Sequence, residues 1–432
     1  MKMRRRELLR SVLPAVLWSA DRSGRGWAAE GDLPPVRAIT RGPKFHWFAY
    51  YDKLQFDPTG RYALGMESAF DNRDATAGDA IRIGIVDLEE GDRWIELGTS
   101  RAWCWQQGCM LQWRPGSASE ILWNDREADR WVCRILDVKT GRLKTVPQSI
   151  YAVSPNGKTA VTVDYGRLGR LAPGYGYFGV PDRSPKTNLP DDNGIWRVDM
   201  DTGESSLILS IRQVAHFGRP LPGMADSPTY LKHLLFNPDG SRFVFLQRWY
   251  HLWPRKWPRY TRMLTANPDG SGLRVVDDNG YTSHFNWRDP RHILAWSDQK
   301  ECGQRFYLFP DGRGKIEVVG REAMTEDGHC SYLPNKEWIL CDTYPDARRL
   351  QHVYLFHVPT GRRAPLGHFW LPPKYADVLR IDTHPRFSPD GRKVVIDAAQ
   401  GASGRQMLLI DVARVVCGVK ATSAFRPRSA PA

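Results

Sequence analysis

The chain lacks several features that would place it in common classes of protein. It has no apolar run of about 18 residues, so it offers no helix that spans a membrane. Its seven cysteines are an odd number without CxxC spacing, which argues against a disulfide framework. Only Cys330 and Cys341, on consecutive predicted strands, are placed to pair. Zinc-knuckle, helix-turn-helix and RNP motifs are missing, so no nucleic-acid partner is expected.

The first 29 residues have the pattern of an export signal. Arg4, Arg5 and Arg6 precede a short apolar stretch, and a small-residue site follows at Ala28 and Ala29. The arginines resemble the twin-arginine type of signal. We therefore expect a periplasmic or secreted protein from which residues 1–29 are cleaved. A disordered basic arm is the alternative.

The charge balance indicates an anionic partner. The formal net charge is +13, and an excess of positive charge concentrates polyanions near a protein. For an exported protein, an acidic oligosaccharide or polysaccharide is the expected partner. The chain also has 17 tryptophans, whose flat rings can pack in a core or stack on a pyranose.

A strand-rich unit recurs from about residue 44 onwards. Each unit has a first strand ending in a turn, a strongly apolar second strand, a variable loop and two outer strands. The turns are DPTG 57–60, RPGS 114–117, SPNG 154–157, NPDG 237–240 and SPDG 388–391. Seven such blocks without helical periodicity predict an all-β fold, a seven-bladed β-propeller with four-stranded blades.

The propeller is predicted to cover residues 33–412 as a single domain. Residues 33–42 have no blade of their own. We expect them to add the outer strand of the last blade and so close the ring, which removes exposed sheet edges. Residues 413–432 are predicted to form a loose C-terminal tail.

Four histidines share one position in the repeated first strand. His233, His284, His329 and His384 each stand five residues before the first turn residue. Equal register in equivalent blades predicts that their imidazoles meet at one mouth of the central channel. The polar insertions between second and third strands return to the same face, where function usually resides.

These residue types suggest a metal centre or a general base. Imidazoles bind divalent cations such as Mn²⁺ or Zn²⁺ and also accept protons near neutral pH. Asp382 and Arg386, two residues before and after His384, are predicted to share its side of the strand. Arginine forks bind carboxylates, and tyrosine hydroxyls donate or accept protons. The catalytic candidates are His284, His233, Tyr165 and Arg167, and the substrate-binding candidates are His46, Tyr51, Gln107, Arg170, Tyr175, Arg248, Trp249 and Arg386.

Together these groups can cleave a uronate glycan by β-elimination. A cation or an arginine neutralises the carboxylate and acidifies the C5 proton, which a histidine or tyrosine removes. A glycosidase would instead need a pair of carboxylates, and Asp and Glu are sparse in the predicted mouth.

The chain past residue 44 resembles the seven-bladed β-propeller polysaccharide lyases, namely oligogalacturonate lyases and rhamnosyl-glucuronate lyases. The resemblance rests on the GHCSY segment around His329, the HPRFSPDG segment around His384, and His284. It implies that His329 and His384 are metal ligands and that His284 is the base. Asp382 stands where that family places another histidine ligand, so Mn²⁺, Ca²⁺ and Zn²⁺ are all candidates.

Two alternatives stay open at the level of sequence. The HWFAYYDK segment and the arginine-rich segment 165–177 resemble the rhamnosyl-glucuronate branch. The resemblance implies that propellers related to that branch include glycoside hydrolases, so a rhamnosidase-like hydrolase is the first alternative. The second is a non-catalytic periplasmic scaffold or glycan-binding propeller. Fold resemblance alone does not choose among these functions.

Overall fold

The computed structural model describes residues 33–48, 50–252 and 256–418. Within them the chain forms seven four-stranded antiparallel sheets, which confirms the predicted seven-bladed propeller. The predicted export signal, residues 1–29, lies outside the described residues. The described helices include none that is long and apolar enough to cross a membrane.

The strands follow the predicted repeat along the chain. The strands of the first half are β1 (Val36–Ala38), β2 (Phe45–Trp47), β3 (Tyr62–Ser68), β4 (Ile81–Asp87), β5 (Arg93–Ser100), β6 (Gln112–Trp113), β7 (Glu120–Glu127), β8 (Arg130–Asp137), β9 (Leu143–Val146), β10 (Ala152–Val153), β11 (Thr159–Thr162), β12 (Gly194–Asp199) and β13 (Ser205–Ser210). The strands of the second half are β14 (Tyr230–Phe236), β15 (Phe243–Leu252), β16 (Lys256–Ala266), β17 (Arg274–Gly280), β18 (Thr282–Asp289), β19 (His292–Gln299), β20 (Gly303–Pro310), β21 (Glu317–Val319), β22 (Ser331–Tyr332), β23 (Trp338–Cys341), β24 (Leu350–His357), β25 (Arg362–Trp370), β26 (Arg386–Phe387), β27 (Lys393–Ala399) and β28 (Arg405–Asp411).

Six blades are built from four consecutive strands, starting with β2–β5 and ending with β22–β25. The seventh combines β26, β27 and β28 with the N-terminal strand β1. Val36 pairs with Ile410 and Ala38 pairs with Leu408. The N-terminal segment thus closes the ring as predicted, because β1 pairs with the outer edge of β28.

The turn residues explain why each first strand reverses where it does. Gly240 and Gly391 adopt φ of 74° and 68°, a region that glycine enters without steric cost. The preceding Pro238 and Pro389 fix φ for the start of the turn. Each turn therefore sets the register between the first and second strands of its blade.

Short helices interrupt the strands, although the sequence shows no helical periodicity. They are α1 (Tyr165–Leu171), α2 (Ile211–His216) and α3 (Ala413–Cys417), with 3-10 turns at Asp377–Leu379 and Gly401–Ser403. Asp164 caps α1 by accepting hydrogen bonds from the backbone of Gly166 and Arg167. Helix α3 lies at the start of the segment predicted as a C-terminal tail, and residues 419–432 of that segment lie outside the described part.

The core lies between successive blades, where apolar second and third strands face each other. Many tryptophans are part of it, and Trp47, Trp103 and Trp249 are fully buried. All seven cysteines are free. The possible pairing of Cys330 with Cys341 is therefore not present, and both are small buried core residues.

Candidate active site and metal centre

The backbone is irregular at or near several of the four histidines that share one register. The pairing of β14 shifts between Lys232 and Leu235, and that of β18 shifts between Thr282 and Phe285. His233 lies in the first irregularity with φ of 54°. His384, two residues before β26, has φ of 40°. Bulges re-aim side chains, and such strained residues cluster at functional sites.

The four imidazoles meet around two tyrosines of the first blade. Ring centroids are 4.1 Å apart between His284 and His329, and 4.2 Å between His329 and His384. Tyr50 lies 4.9 Å from His233 and 5.1 Å from His384. All four histidines are buried, with His284 the most exposed at 6%. The cluster therefore forms one continuous centre within the channel.

The segment from Tyr50 to Lys53 crosses the channel beneath this centre. The Tyr51 hydroxyl donates to the carbonyl of Phe285 at 2.8 Å and accepts from its N–H at 3.0 Å. Asp52 lies 2.9 Å from the Lys53 ammonium and 3.5 Å from His233 Nε2. On the far side, a cavity of about 490 Å³ is lined by turn residues of several blades, such as Pro115, Pro155 and Pro389. Tyr51 and Asp52 thus contact both the histidine cluster and this cavity.

Carboxylates hold two of the imidazoles in fixed orientation. Asp327 lies 2.9 Å from His284 Nδ1, and both Asp342 oxygens lie 3.0 Å from His329 Nδ1. The expectation that acidic residues are sparse in the mouth is wrong, because Asp52 and Asp382 lie there as well. Each of these carboxylates already pairs with a histidine, lysine or arginine. They orient other groups and do not form a free acid–base pair.

Three residues can hold a divalent cation. Ligand atoms of His329, Asp382 and His384 all lie within 4.8 Å of one another. His384 Nε2 is buried and has no hydrogen-bond partner among the described residues. Because Asp342 engages His329 Nδ1, the other ring nitrogen is left for a ligand, in the manner of carboxylate-backed histidine ligands. The residues fit a metal, and two imidazoles with one carboxylate favour Mn²⁺ or Zn²⁺ over the oxygen-loving Ca²⁺.

Electrostatics keeps most of these imidazoles neutral. Burial lowers the pKa of His233 to about 3. Burial also lowers the pKa of His284, against the opposing effect of Asp327, and lowers that of His384 well below 6.5. Burial acts on His329 too, but Asp342 outweighs it, so the His329 pKa is raised. Arg380, whose guanidinium lies 2.6 Å from Asp382 Oδ1, overcomes burial and lowers the Asp382 pKa.

Arg167 and Tyr165 do not reach this centre as free groups. Arg167 is 2% exposed and donates to the carbonyls of Thr229, Ser184, Thr187 and Asn188 and to Asp182. The Tyr165 hydroxyl donates to the Ile150 carbonyl at 2.8 Å. Catalytic roles for both stay predictions: the structure holds Arg167 within its own insertion and against Thr229, and it holds Tyr165 against Ile150 of the same blade.

Three further candidates are also occupied by structural contacts. Arg170 pairs with Asp182 at 2.6 Å, and buried Trp249 donates to the Pro222 carbonyl at 2.9 Å. Arg386 forks onto Asp397, 2.9 Å away. A substrate-binding role for them stays a prediction, and in the structure their polar groups are engaged by Asp182, Pro222 and Asp397.

Two candidates form hydrogen bonds or ion pairs with residues other than the four histidines. His46 contacts Gln406 at 3.1 Å and Glu67 at 3.3 Å, beside a separate cavity of about 250 Å³. Gln107 donates to the Tyr151 hydroxyl at 2.7 Å. The substrate-binding roles of both stay predictions. Tyr51, by contrast, lies within the cluster, with its ring 5.1 Å from His329.

Sequence reasoning missed several residues that surround the centre. Asp327, Arg380, Tyr344 and Lys232 were not candidates. Tyr344 lies 6.0 Å from the His284 ring, and Arg380 lies 5.2 Å from the Tyr344 ring. Asp327 and Arg380 stand two residues before His329 and Asp382, so the alternation that selected Asp382 could have found them. Nothing in the sequence distinguishes Lys232 from an ordinary strand residue.

The fold and the buried centre define the chain as a seven-bladed β-propeller with a histidine–aspartate site in its channel. No protein-family model matches it. An oligogalacturonate lyase in complex with manganese superposes with a TM-score of 0.63 at 17% identity, covering 88% of this chain and 94% of that one. The oligogalacturonate lyase from Vibrio parahaemolyticus gives a TM-score of 0.62 at 14% identity, covering 89% and 96%.

At these identities the comparison establishes the propeller fold. It supports the resemblance to oligogalacturonate lyases and gives no support to the resemblance to rhamnosyl-glucuronate lyases. The chain spans nearly the full length of both structures, so the likeness is not confined to one or two blades.

Proposed function

We propose that the protein is a lyase that cleaves a uronate-containing oligosaccharide by β-elimination at the histidine mouth. The observation that carries this proposal is the contact between His284, backed by Asp327, and the group of His329, Asp382 and His384. The fold shared with two oligogalacturonate lyases supports it, as does the manganese held by one of them. The positive charge of the chain suits an acidic glycan.

His329, Asp382 and His384 would hold a divalent cation, which withdraws charge from a bound carboxylate and makes the adjacent carbon acid stronger. Asp342 fixes the ring of His329, and Arg380 fixes the carboxylate of Asp382. The side chains thus keep the ligand atoms close together before a metal arrives. Such support is typical of ligands that tune metal affinity.

His284 is the better base of the two remaining histidines. Its Nδ1 contacts Asp327 at 2.9 Å, which leaves Nε2 to accept the C5 proton. The half-buried Asp327 then stabilises the imidazolium that forms. His233 contacts Tyr51 and Asp52 and has a pKa of about 3, so it is a weak base. The proton on His284 can pass to the departing sugar oxygen, directly or through water, which completes the elimination.

The carboxylates favour elimination over hydrolysis. Hydrolysis by a carboxylate pair needs one free acid and one free base about the scissile bond. Asp327, Asp342 and Asp382 are each committed to a histidine or to Arg380. A non-catalytic glycan-binding propeller remains a defined outcome of the test below.

A screen of polyuronates with the purified, manganese-loaded protein tests the proposal. Elimination produces an unsaturated sugar, so ultraviolet absorbance and reducing ends should rise together. Reducing ends without absorbance would identify a hydrolase. Binding without either signal would identify a glycan-binding propeller, and both of these results would contradict the proposal.

A further inference from the structure

The insertion between β11 and β12 reaches across the histidine mouth. Its tip follows helix α1 in a turn, in which the Tyr175 N–H donates to the Ala172 carbonyl at 3.1 Å. The centre of the Tyr175 ring lies 3.4 Å from the ammonium of Lys232, on the first strand of the fourth blade. The preceding Gly174 lies against Val378, in the 3-10 turn before the seventh blade. Because these blades lie on opposite sides of the ring, two consecutive residues of the tip span the mouth.

Gly174 is the point of closest approach between the two sides. It is buried and adopts φ of 87°, a region that glycine enters without steric cost. A β-carbon at this position would lie 3.5 Å from Val378 Cβ and 3.5 Å from Gln106 Cγ. The gap between the tip and the 3-10 turn therefore has room for little more than that one atom.

The centre beneath the tip is closed to a molecule as large as a sugar. The exposure of the four histidines does not exceed the 6% of His284. The cavity of about 490 Å³ is lined by Tyr51 and Asp52 but by none of the four histidines. A glycan therefore reaches the imidazoles after part of the mouth has moved.

The two sides of the contact are held differently. Gln106 donates to the carbonyls of Val378 at 3.3 Å and Arg380 at 2.9 Å, and it accepts from Arg380 Nη2 at 3.2 Å. These bonds tie the 3-10 turn to the segment before the second blade. Within the described residues, no hydrogen bond or ion pair joins residues 173–176 to residues 376–380. The tip is therefore the side that separates at low cost in free energy.

We propose that residues 173–176 form a lid, closed in this structure, that moves away from Val378 and Lys232 to admit a ligand to the histidines. Closure of such a lid over a bound ligand excludes water from the site. The inference goes beyond the proposed function, because it concerns access to the centre and not the reaction that takes place there.

A disulfide across the contact tests the lid. Gly174→Cys combined with Val378→Cys places two β-carbons 3.5 Å apart, within the range that a disulfide requires. Diethyl pyrocarbonate acylates accessible neutral imidazoles, and peptide mass spectrometry of the metal-free protein gives its rate at His284. The oxidised variant should react at His284 at least about tenfold more slowly than the same variant after reduction, because the reagent enters through the open state. Equal rates in the two states would overturn the inference.

Controls separate closure of the lid from other effects of oxidation. His292, whose side chain is 36% exposed, should react at the same rate in both states. Each single cysteine variant retains the seven native cysteines and should show no dependence on oxidation. A dependence in either one equal to that of the double variant would overturn the inference.

A second variant covers the case in which the double variant does not fold or does not form its disulfide. Tyr175→Ala removes the ring from Lys232 and should speed the reaction of His284 by at least about threefold, since it destabilises the closed state. Tyr175→Phe is the matched control, because it retains the ring and should leave the rate unchanged. An unchanged rate in Tyr175→Ala would overturn the inference.

Failure of the lid and failure of the proposed function give different results. A double variant that cleaves polyuronates equally fast when oxidised and when reduced would refute the lid and leave the lyase standing. A disulfide that protects His284, in a protein that cleaves no uronate glycan, would refute the lyase and leave the lid standing.

Discussion

At the scale of single residues, the partner of each histidine decides what it can do. His329 and His284 each place a carboxylate on Nδ1, whereas His384 Nε2 has no partner among the described residues. His233 contacts Tyr51 and Asp52 instead. Under the proposed function, four residues of equal register would therefore act as two ligands, a base and a structural residue.

His284→Gln should reduce kcat/KM by about 100- to 10,000-fold, the usual contribution of a general base. The glutamine retains a polar contact to Asp327 but does not accept the proton. The matched control is His292→Gln. His292 is the first residue of β19, and its Nδ1 also lies 2.9 Å from an aspartate oxygen, that of Asp289. Steady-state rates measure the effect. A loss of less than tenfold, or an equal loss in His292→Gln, would exclude His284 as the base.

Asp342→Asn should weaken manganese binding by about 10- to 100-fold, because it removes the carboxylate behind His329. Asp327→Asn is the comparison, since its partner His284 is assigned as the base. It should lower kcat and leave metal affinity nearly unchanged. Calorimetric titration of manganese and steady-state rates separate the two effects. Equal effects of both variants on metal affinity would contradict the separate roles.

The sequence predicted which histidines would meet, because register is a property of the repeat. It did not predict the partners of the arginines. In the sequence, Arg167 and Arg386 have the side chain that binds a substrate carboxylate. In the structure, Arg167 donates to Asp182 and to backbone carbonyls, and Arg386 pairs with Asp397. The sequence does not distinguish an arginine that is free to bind a ligand from a buried arginine that binds other residues of the protein, because the difference lies in the tertiary contacts.

At the scale of elements, two departures from regular structure shape the site. The bulge at His233 redirects an imidazole, and the insertion after β11 folds back as helix α1. Neither was predicted: the bulge disturbs the alternation only locally, and α1, at seven residues, is too short to show a period. The position of the insertion on the histidine face was predicted from the repeat.

Arg167→Met tests the structural role assigned to α1. The variant should lower the free energy of unfolding by about 2–4 kcal/mol, because buried carbonyls and Asp182 lose their donor. KM should change by less than about twofold, because a raised KM would indicate the loss of a substrate contact. Chemical denaturation and steady-state kinetics give the two values. An unchanged stability with a strongly raised KM would show that Arg167 binds substrate after all.

At the scale of the whole molecule, the ring could be predicted almost completely. The turn residues at the end of each first strand show where the blades lie in the sequence. Residues 33–42 precede the first blade, which predicts that they complete the last one. The structure places β1 beside β28 as expected. What the repeat does not encode is how the channel is filled, since the Tyr50–Lys53 segment occurs in one blade.

The buried imidazoles predict how stability depends on pH. The folded-state pKa of His233 is about 3, and those of His284 and His384 lie below 6.5. Unfolded histidines bind protons more readily, so acidification below 6.5 favours unfolding. His329, with a raised pKa, acts in the opposite direction, but three groups outweigh one. The melting temperature of the metal-free protein should therefore fall steadily between about pH 6.5 and pH 5.

His233→Gln provides the control for this dependence, because it removes one of the three groups. Its melting temperature should fall less over the same range than that of the unchanged protein. A melting temperature that is constant or rises on acidification would show that the imidazoles are not neutral in the folded protein.

The most direct test of the lyase assignment is the ultraviolet absorbance of a polyuronate digest, measured with and without removal of divalent cations. The account predicts that absorbance rises with the manganese-loaded protein, stops after chelation, and returns when manganese is added back. A digest that releases reducing ends without absorbance, with or without metal, would contradict it.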